Sequence, residues 1–127
     1  MTRLIIKYNT SLGLNITKLQ WNWINVCNVD FKSKEAMDEA LSIYRLSSAK
    51  WMVGAQFLLT MKTSDQSAMY VAVYNSEDDA DNALVGREKY IEAMGDLVHD
   101  VFYHEGDMDF AYLNENFINA DSIQIGS

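Results

Sequence analysis

An internal repeat with a spacing of 43 residues limits the topology of this chain more than any other feature. Each copy reads as a strand, an aromatic residue, a serine suited to cap a helix, an acidic first turn and an Ala-Leu helical face. The aligned pairs are Phe31 with Tyr74, Ser33 with Ser76, Glu35 with Asp78, Asp38 with Asp81, Ala40 with Ala83 and Leu41 with Leu84. The repeat predicts two similar halves that contribute strands to one sheet.

The first half begins with a strand predicted over residues 19–29. One parity of this strand carries Leu19, Trp21, Trp23, Asn25, Cys27 and Val29. The other parity includes Ile24 and Val26, which indicates that both faces of the strand are covered. A helix is predicted from the N-cap Ser33 to about Leu46 or Ser48, because its apolar residues recur at helical spacing.

The second half follows the same pattern. Strands are predicted at 55–62 and 68–74, and the turn residues between them indicate a hairpin. A single second helix is predicted to begin at the N-cap Ser76, and Arg87 interrupts its apolar face. The other residues of that face are Ala80, Ala83, Leu84, Ile91, Met94 and Val98. The last core strand is predicted at 99–105.

The resulting order, β-α-β-β-α-β, is the ferredoxin-like topology, an α+β protomer with a four-stranded antiparallel sheet and two helices on one face. Residues 1–127 are predicted to form a single domain with its core at 19–109. The extensions 1–18 and 110–127 contain candidate edge strands at 4–8 and 122–125. The second sheet face would meet water, so we expect a homodimer whose paired sheets form a dimeric α+β barrel.

Charge and cysteine content exclude several classes of protein. The 127 residues carry a formal charge of −8, which disfavours nucleic acid and anionic membrane surfaces as partners. The sequence has no 18-residue apolar run and only three consecutive apolar residues after Arg3, so we expect an untargeted, cytoplasmic protein. Cys27 is the only cysteine and there are two histidines, so neither a disulfide nor a metal site is expected.

Residues 71–80, Val-Ala-Val-Tyr-Asn-Ser-Glu-Asp-Asp-Ala, form a strand that ends in aromatic-x-Ser-x-acidic before the second helix. This segment resembles the dimeric α+β barrel superfamily, and within it the antibiotic-biosynthesis-monooxygenase-like proteins, over residues 19–109. The haem-degrading branch of that superfamily uses a Trp on the third strand, a His late in the second helix and an Asn on the first strand. This chain has Tyr74 at the first position and no helical His, and only Asn25 matches, so neither haem nor another cofactor is expected.

The resemblance also suggests where a ligand would lie. If Tyr74 faces the helices as the aromatic residue of the family does, the repeat places Asn25 on the same side of the sheet. Asn25 needs a hydrogen-bonding partner there, which a ligand carbonyl, a backbone carbonyl or a water molecule could supply. The predicted ligand-binding residues between sheet and helices are Trp23, Asn25, Met37, Leu41, Tyr44, Trp51, Tyr70, Tyr74, Leu84, Ile91 and Met94.

Three functions are compatible with these residues, beside the alternative that the interior is simply a filled core. The first is binding of an apolar or amphipathic small molecule, such as an acyl chain or a hydrophobic carbonyl compound, in a cavity between sheet and helices. The second, implied by the resemblance, is a cofactor-independent monooxygenase in which Trp23, Asn25 and Trp51 position an aromatic substrate. The third is a non-catalytic dimeric interaction subunit. The sequence leaves open whether the protein is an enzyme.

Overall fold

The computed structural model describes residues 2–10 and 13–126, with side chains described from Gln20 onward. A 3-10 turn at Gly95–Leu97 precedes the last strand. The helices and strands, numbered in chain order, are β1 (Thr2–Thr10), β2 (Gly13–Trp21), β3 (Trp23–Phe31), α1 (Lys34–Trp51), β4 (Ala55–Lys62), β5 (Ser67–Tyr74), α2 (Glu77–Asn82), α3 (Leu84–Met94), β6 (Val98–Asp107) and α4 (Glu115–Ile118).

The main sheet has four antiparallel strands in the order β4-β5-β3-β6. Strand β3, one of the two central strands, places Cys27 opposite Tyr70 of β5 on one side and opposite Tyr103 of β6 on the other. Strands β3 to β6 and the intervening helices therefore confirm the predicted ferredoxin-like topology. We call the sheet face toward the helices the inner face, which carries Asn25, Cys27 and Val29, and the opposite face the outer face.

The strand predicted over 19–29 is wrong in one respect, because it is interrupted at Asn22. The backbone N–H of Asn22 donates to the carbonyl of Tyr74 at 3.1 Å, and its carbonyl accepts from Met108 N–H at 2.9 Å. The interruption reverses the alternation, so Trp21 lies on the outer face and packs against Phe57, with ring centroids 5.7 Å apart. Trp23 remains on the inner face.

The candidate edge strands at the two ends also differ from the prediction. Residues 4–8 belong to β1, which pairs with β2 along its whole length in a separate two-stranded sheet and not with the main sheet. Residues 122–125 are not a strand: this segment is exposed and pairs with no strand in the part of the chain that the structure describes.

Both helical units begin at the predicted serine caps. Ser33 Oγ accepts from Ala36 N–H at 3.0 Å, and Ser76 Oγ accepts from Asp79 N–H at 3.1 Å. The second unit is nevertheless two helices, because the chain tightens at Ala83, whose N–H reaches the carbonyls of both Asp79 and Ala80. The single helix predicted from Ser76 is thus corrected to α2 and α3.

Because the second helical unit is two helices, the side of α3 that faces the core differs from the predicted one. Its buried residues are Gly86, Tyr90 and Met94, whereas Ile91 is 52% exposed. Gly86 lies directly against the backbone carbonyl of Trp51 at the end of α1, a crossing that leaves no room for a side chain. The close helix contact is therefore set by the glycine, and it fixes which residues of α3 face the sheet.

Candidate functional site

A cavity of about 280 Å³ lies between the inner face of the sheet and helices α1 and α3. Its walls are almost wholly apolar or aromatic, which is typical of a small-molecule site. The lining residues are Asn25, Cys27, Val29, Tyr44, Met52, Tyr70, Val71, Ala72, Tyr74, Arg87, Tyr90, Ile91, Met94, Val101 and Tyr103. Strand β6 therefore presents Val101 and Tyr103 to the cavity, while His104 lies on the outer face.

Three tyrosines from three different elements form the inner end of the cavity. The rings of Tyr44 and Tyr70 meet edge to face at 5.0 Å, and Tyr90 lies 5.0 Å from Tyr44 and 5.7 Å from Tyr70. The hydroxyls of Tyr70 and Tyr90 are 2.6 Å apart, and Tyr90 also donates to the carbonyl of Ala40 at 2.9 Å. Burial raises the pKa of Tyr70 to about 12, so its phenol is neutral at physiological pH.

The opposite end of the cavity lies at strand β6 and carries a positive charge. The guanidinium of Arg87 stacks over the ring of Tyr103, 4.4 Å from its centroid, and Tyr103 donates to Glu105 Oε2 at 2.8 Å. Burial raises the pKa of Tyr74, and the charge of Arg87 offsets part of that rise. Among the described lining residues Arg87 is the only one with a charged side chain, and it forms no ion pair with any described carboxylate.

Asn25 brings an unpaired amide into this apolar space. It is 7% exposed, and its Oδ1 has no hydrogen-bonding partner among the described residues. Leaving such a group unpaired costs about 1–3 kcal/mol. The neighbouring Cys27 also lines the cavity, and burial raises the pKa of its thiol, which keeps the sulfur protonated. A ligand that donates a hydrogen bond to Asn25 Oδ1 would recover the cost of its burial.

The structure brings six of the eleven predicted ligand-binding residues to the cavity: Asn25, Tyr44, Tyr70, Tyr74, Ile91 and Met94. The other five, Trp23, Met37, Leu41, Trp51 and Leu84, do not line it.

The five residues lie elsewhere for different physical reasons. Met37 and Leu41 fill the close-packed core beneath α1. Trp23 packs against the separate cluster formed by Tyr74, Ala80 and Ala83. Trp51 is held at the helix crossing with Gly86, and the division of the second helix leaves Leu84 at the start of α3.

Sequence reasoning missed Arg87, Tyr90 and Tyr103. Arg87 lies four residues before Ile91 and seven before Met94, so it shares their helical face. The signal in the sequence that points to Arg87 is a charged residue within an otherwise apolar helical face. Tyr90 could not be placed without the close helix crossing at Gly86. Apolar and polar residues do not alternate clearly along β6, so the sequence does not show which face of the sheet Tyr103 occupies.

The described residues contain neither a membrane-spanning helix nor a metal-binding cluster. No helix there is both long enough and apolar enough to cross a bilayer. Within the same residues, no group of three or more His, Cys, Asp or Glu side chains has the proximity needed to bind a metal ion.

Solved structures of other proteins have a similar fold, although their sequence identity to this chain is low. No family model matches the sequence, and no curated protein matches it. Among solved structures, a dimeric ferredoxin-like protein from an uncultured marine organism is similar with a TM-score of 0.63 and 14% identity, over 76% of this chain and 95% of that one.

Two structures from Streptomyces are also similar. One is a monooxygenase from Streptomyces coelicolor in complex with nanaomycin D, with a TM-score of 0.57 and 10% identity, over 74% of this chain and 93% of that one. The other is a cofactor-independent oxygenase from Streptomyces nogalater, with a TM-score of 0.54 and 14% identity, over 75% of this chain and 98% of that one. The chain thus has the fold of the antibiotic-biosynthesis-monooxygenase-like structures, as the sequence predicted.

Proposed function

We propose that the protein binds an apolar or amphipathic small molecule in the cavity between the sheet and helices α1 and α3. The observation that carries this proposal is a cavity of about 280 Å³ whose lining includes one unpaired amide oxygen, on Asn25, and one charged group, on Arg87. An apolar cavity of about 150 Å³ binds benzene. The volume here suits a two-ring aromatic compound or a short acyl chain.

Arg87 narrows the class of ligand. A half-buried guanidinium without a carboxylate partner among the described residues favours an anion at the outer end of the cavity. The rest of the lining is uncharged in the described chain, so it favours a hydrocarbon or aromatic body. The ligand that fits both conditions is an apolar molecule with one acidic group.

Replacement of Arg87 by methionine tests this assignment. We expect the affinity for 2-naphthoate to fall about 10- to 100-fold, because a charge-assisted hydrogen bond contributes about 1.5–3 kcal/mol. The affinity for 2-naphthamide, which has the same shape but no charge, should change less than about threefold. Isothermal titration calorimetry measures both, and decanoate in the same assay tests the acyl-chain form of the proposal.

The matched control is Arg45→Met, which removes an exposed arginine of α1 that does not line the cavity. It should leave the binding of both naphthalene probes unchanged. If neither 2-naphthoate, 2-naphthamide nor decanoate binds to the wild-type protein, the proposed function is wrong. If 2-naphthoate binds equally well to both arginine variants, Arg87 does not select the ligand.

Cofactor-independent oxygenation is a second candidate, supported by the unpaired Asn25 amide and by the oxygenases among the similar structures. In that reaction the electron-rich ring of the substrate supplies the electrons to oxygen, and Asn25 would position the ring. We expect oxygen consumption with a naphthalene quinol to fall at least about tenfold in Asn25→Ala, the value of one well-placed hydrogen bond. Asn28→Ala, on the outer face of the same strand, is the control. Wild-type consumption no faster than the uncatalysed rate would contradict this candidate.

We also propose that the protein is a homodimer in which a second copy covers the outer face of the main sheet. That face carries Val26, Leu59, Met61 and Phe102, and Phe102 is 60% exposed. An apolar surface of this kind is typical of an interface between subunits. Leu59 and Met61 lie near the edge of the sheet, so the paired surface extends over all four strands.

A cytoplasmic location remains part of the proposal. It agrees with the free thiol of Cys27, because cysteines of proteins in oxidising compartments are usually paired.

A further inference from the structure

The two ends of the cavity differ in what they offer a ligand. At the inner end, the hydroxyls of Tyr70 and Tyr90 are 2.6 Å apart, and the Tyr90 hydroxyl is 2.9 Å from the carbonyl oxygen of Ala40. At the outer end, Arg87 stacks over Tyr103. Either hydroxyl could donate the hydrogen bond between Tyr70 and Tyr90. The identity of the donor decides whether a ligand at the inner end must donate or accept a hydrogen bond.

The direction of this hydrogen-bond chain follows from counting protons. The carbonyl of Ala40 can only accept, so the single hydroxyl proton of Tyr90 is donated to it. The proton between the two phenols must then belong to Tyr70, which donates to the oxygen of Tyr90. Burial keeps the pKa of Tyr70 at about 12, so its proton stays in place. Tyr70 has no proton left to donate, and its oxygen can only accept from a ligand.

The register of the sheet places the two ends of the cavity on opposite sides of β3. Tyr70 of β5 and Tyr103 of β6 both lie opposite Cys27, on the two sides of β3. Their backbones are therefore separated by two strand spacings, roughly 9.5 Å. A ligand that spans the cavity across β3 meets an acceptor at Tyr70 and a cation at Arg87.

We propose that the ligand is an aromatic acid that also carries a hydroxyl, bound with its acid at Arg87 and with its hydroxyl donating to Tyr70. This inference rests on the proposed function and makes Tyr70 a residue that determines specificity. A carbonyl or ether oxygen at the same position on the ligand is rejected, because two acceptors would then face each other without a proton.

A series of probes of similar shape tests the inference. 6-Hydroxy-2-naphthoate can donate to Tyr70, whereas 6-fluoro-2-naphthoate is nearly the same size and cannot. We expect the hydroxy compound to bind the wild-type protein about tenfold more tightly, the value of one hydrogen bond in a buried site. Calorimetric titration of both compounds gives the ratio of their affinities.

Two variants assign the preference to a residue. Tyr90→Phe removes the acceptor of the Tyr70 proton, so Tyr70 becomes free to donate and the preference should fall to less than about twofold. In the same variant, 6-acetyl-2-naphthoate, which presents a carbonyl, should gain affinity relative to wild type. Tyr112→Phe is the control, because it removes the hydroxyl of an exposed tyrosine that does not line the cavity. It should keep the wild-type preference.

The outcomes separate this inference from the proposed function. If no naphthoate binds, the proposed function fails. If the hydroxy and fluoro compounds bind equally well, and both depend on Arg87, the proposed function stands and the role of Tyr70 is wrong. A preference of about tenfold that persists in Tyr90→Phe also overturns the role of Tyr70. Should Tyr90→Phe fail to fold, the wild-type ratio and its loss in Tyr70→Phe decide the question.

Discussion

Gly86→Ala is expected to lower the free energy of unfolding by about 3 kcal/mol or more, the upper end of the cost of overpacking. A Cβ atom on Gly86 would meet the backbone carbonyl of Trp51, and a backbone atom cannot move aside as a flexible side chain can. Helices α1 and α3 would have to separate, and the cavity between them and the sheet would change shape. Denaturant unfolding followed by circular dichroism measures the loss.

Gly106→Ala is the matched control for this substitution. A Cβ at Gly106 meets no described atom within 4 Å, so we expect a change within about 0.5 kcal/mol. If Gly86→Ala is as stable as Gly106→Ala, helices α1 and α3 do not cross as closely as described. The orientation of Arg87 and Tyr90 toward the cavity would then lose its support.

Phe102→Asp is expected to weaken the proposed dimer at least about 30-fold, since an aromatic residue buried in an interface can contribute 2 kcal/mol or more. In a single protomer Phe102 is 60% exposed and meets the His104 ring edge to face, with the ring centroids 4.6 Å apart, so the substitution should cost an isolated protomer little. In the dimer it would place a carboxylate against the apolar sheet of the second copy. Sedimentation equilibrium over a range of concentrations measures the association.

The control for Phe102→Asp introduces an aspartate on a helix instead of on the outer face of the sheet. Leu46 of α1 is 87% exposed, and Leu46→Asp should leave the dimer unchanged. A wild-type protein that sediments as a monomer at all concentrations would contradict the proposed dimer. Equal association of the two variants would show that a dimer forms through a surface other than the outer face.

The sequence was sufficient for the topology because local signals and the repeat agreed. Ser33 and Ser76 cap their helices as predicted, since the pattern that marks an N-cap depends only on the next few residues. The strands at 55–62 and 68–74 were also recognisable from short-range alternation and the turn between them. Such features need no knowledge of the tertiary structure.

The candidate site was only partly predictable because it depends on two contacts that are distant in sequence. The carbonyl of Tyr74 accepts from Asn22 and interrupts the first predicted strand, which moves Trp21 to the outer face. The approach of Gly86 to Trp51 determines which side of α3 faces the sheet, and so brings Tyr90 into the cavity. Hydrophobic periodicity contains no information about either contact.

A crystal structure of the protein grown with saturating 2-naphthoate tests most directly whether the cavity is a ligand site. We expect density for the naphthalene rings between the sheet and α3, with the carboxylate at the guanidinium of Arg87 and the rings beside the Asn25 amide. Side chains of Tyr44, Tyr70 and Tyr90 that close over the space and leave no density for the probe would contradict this expectation.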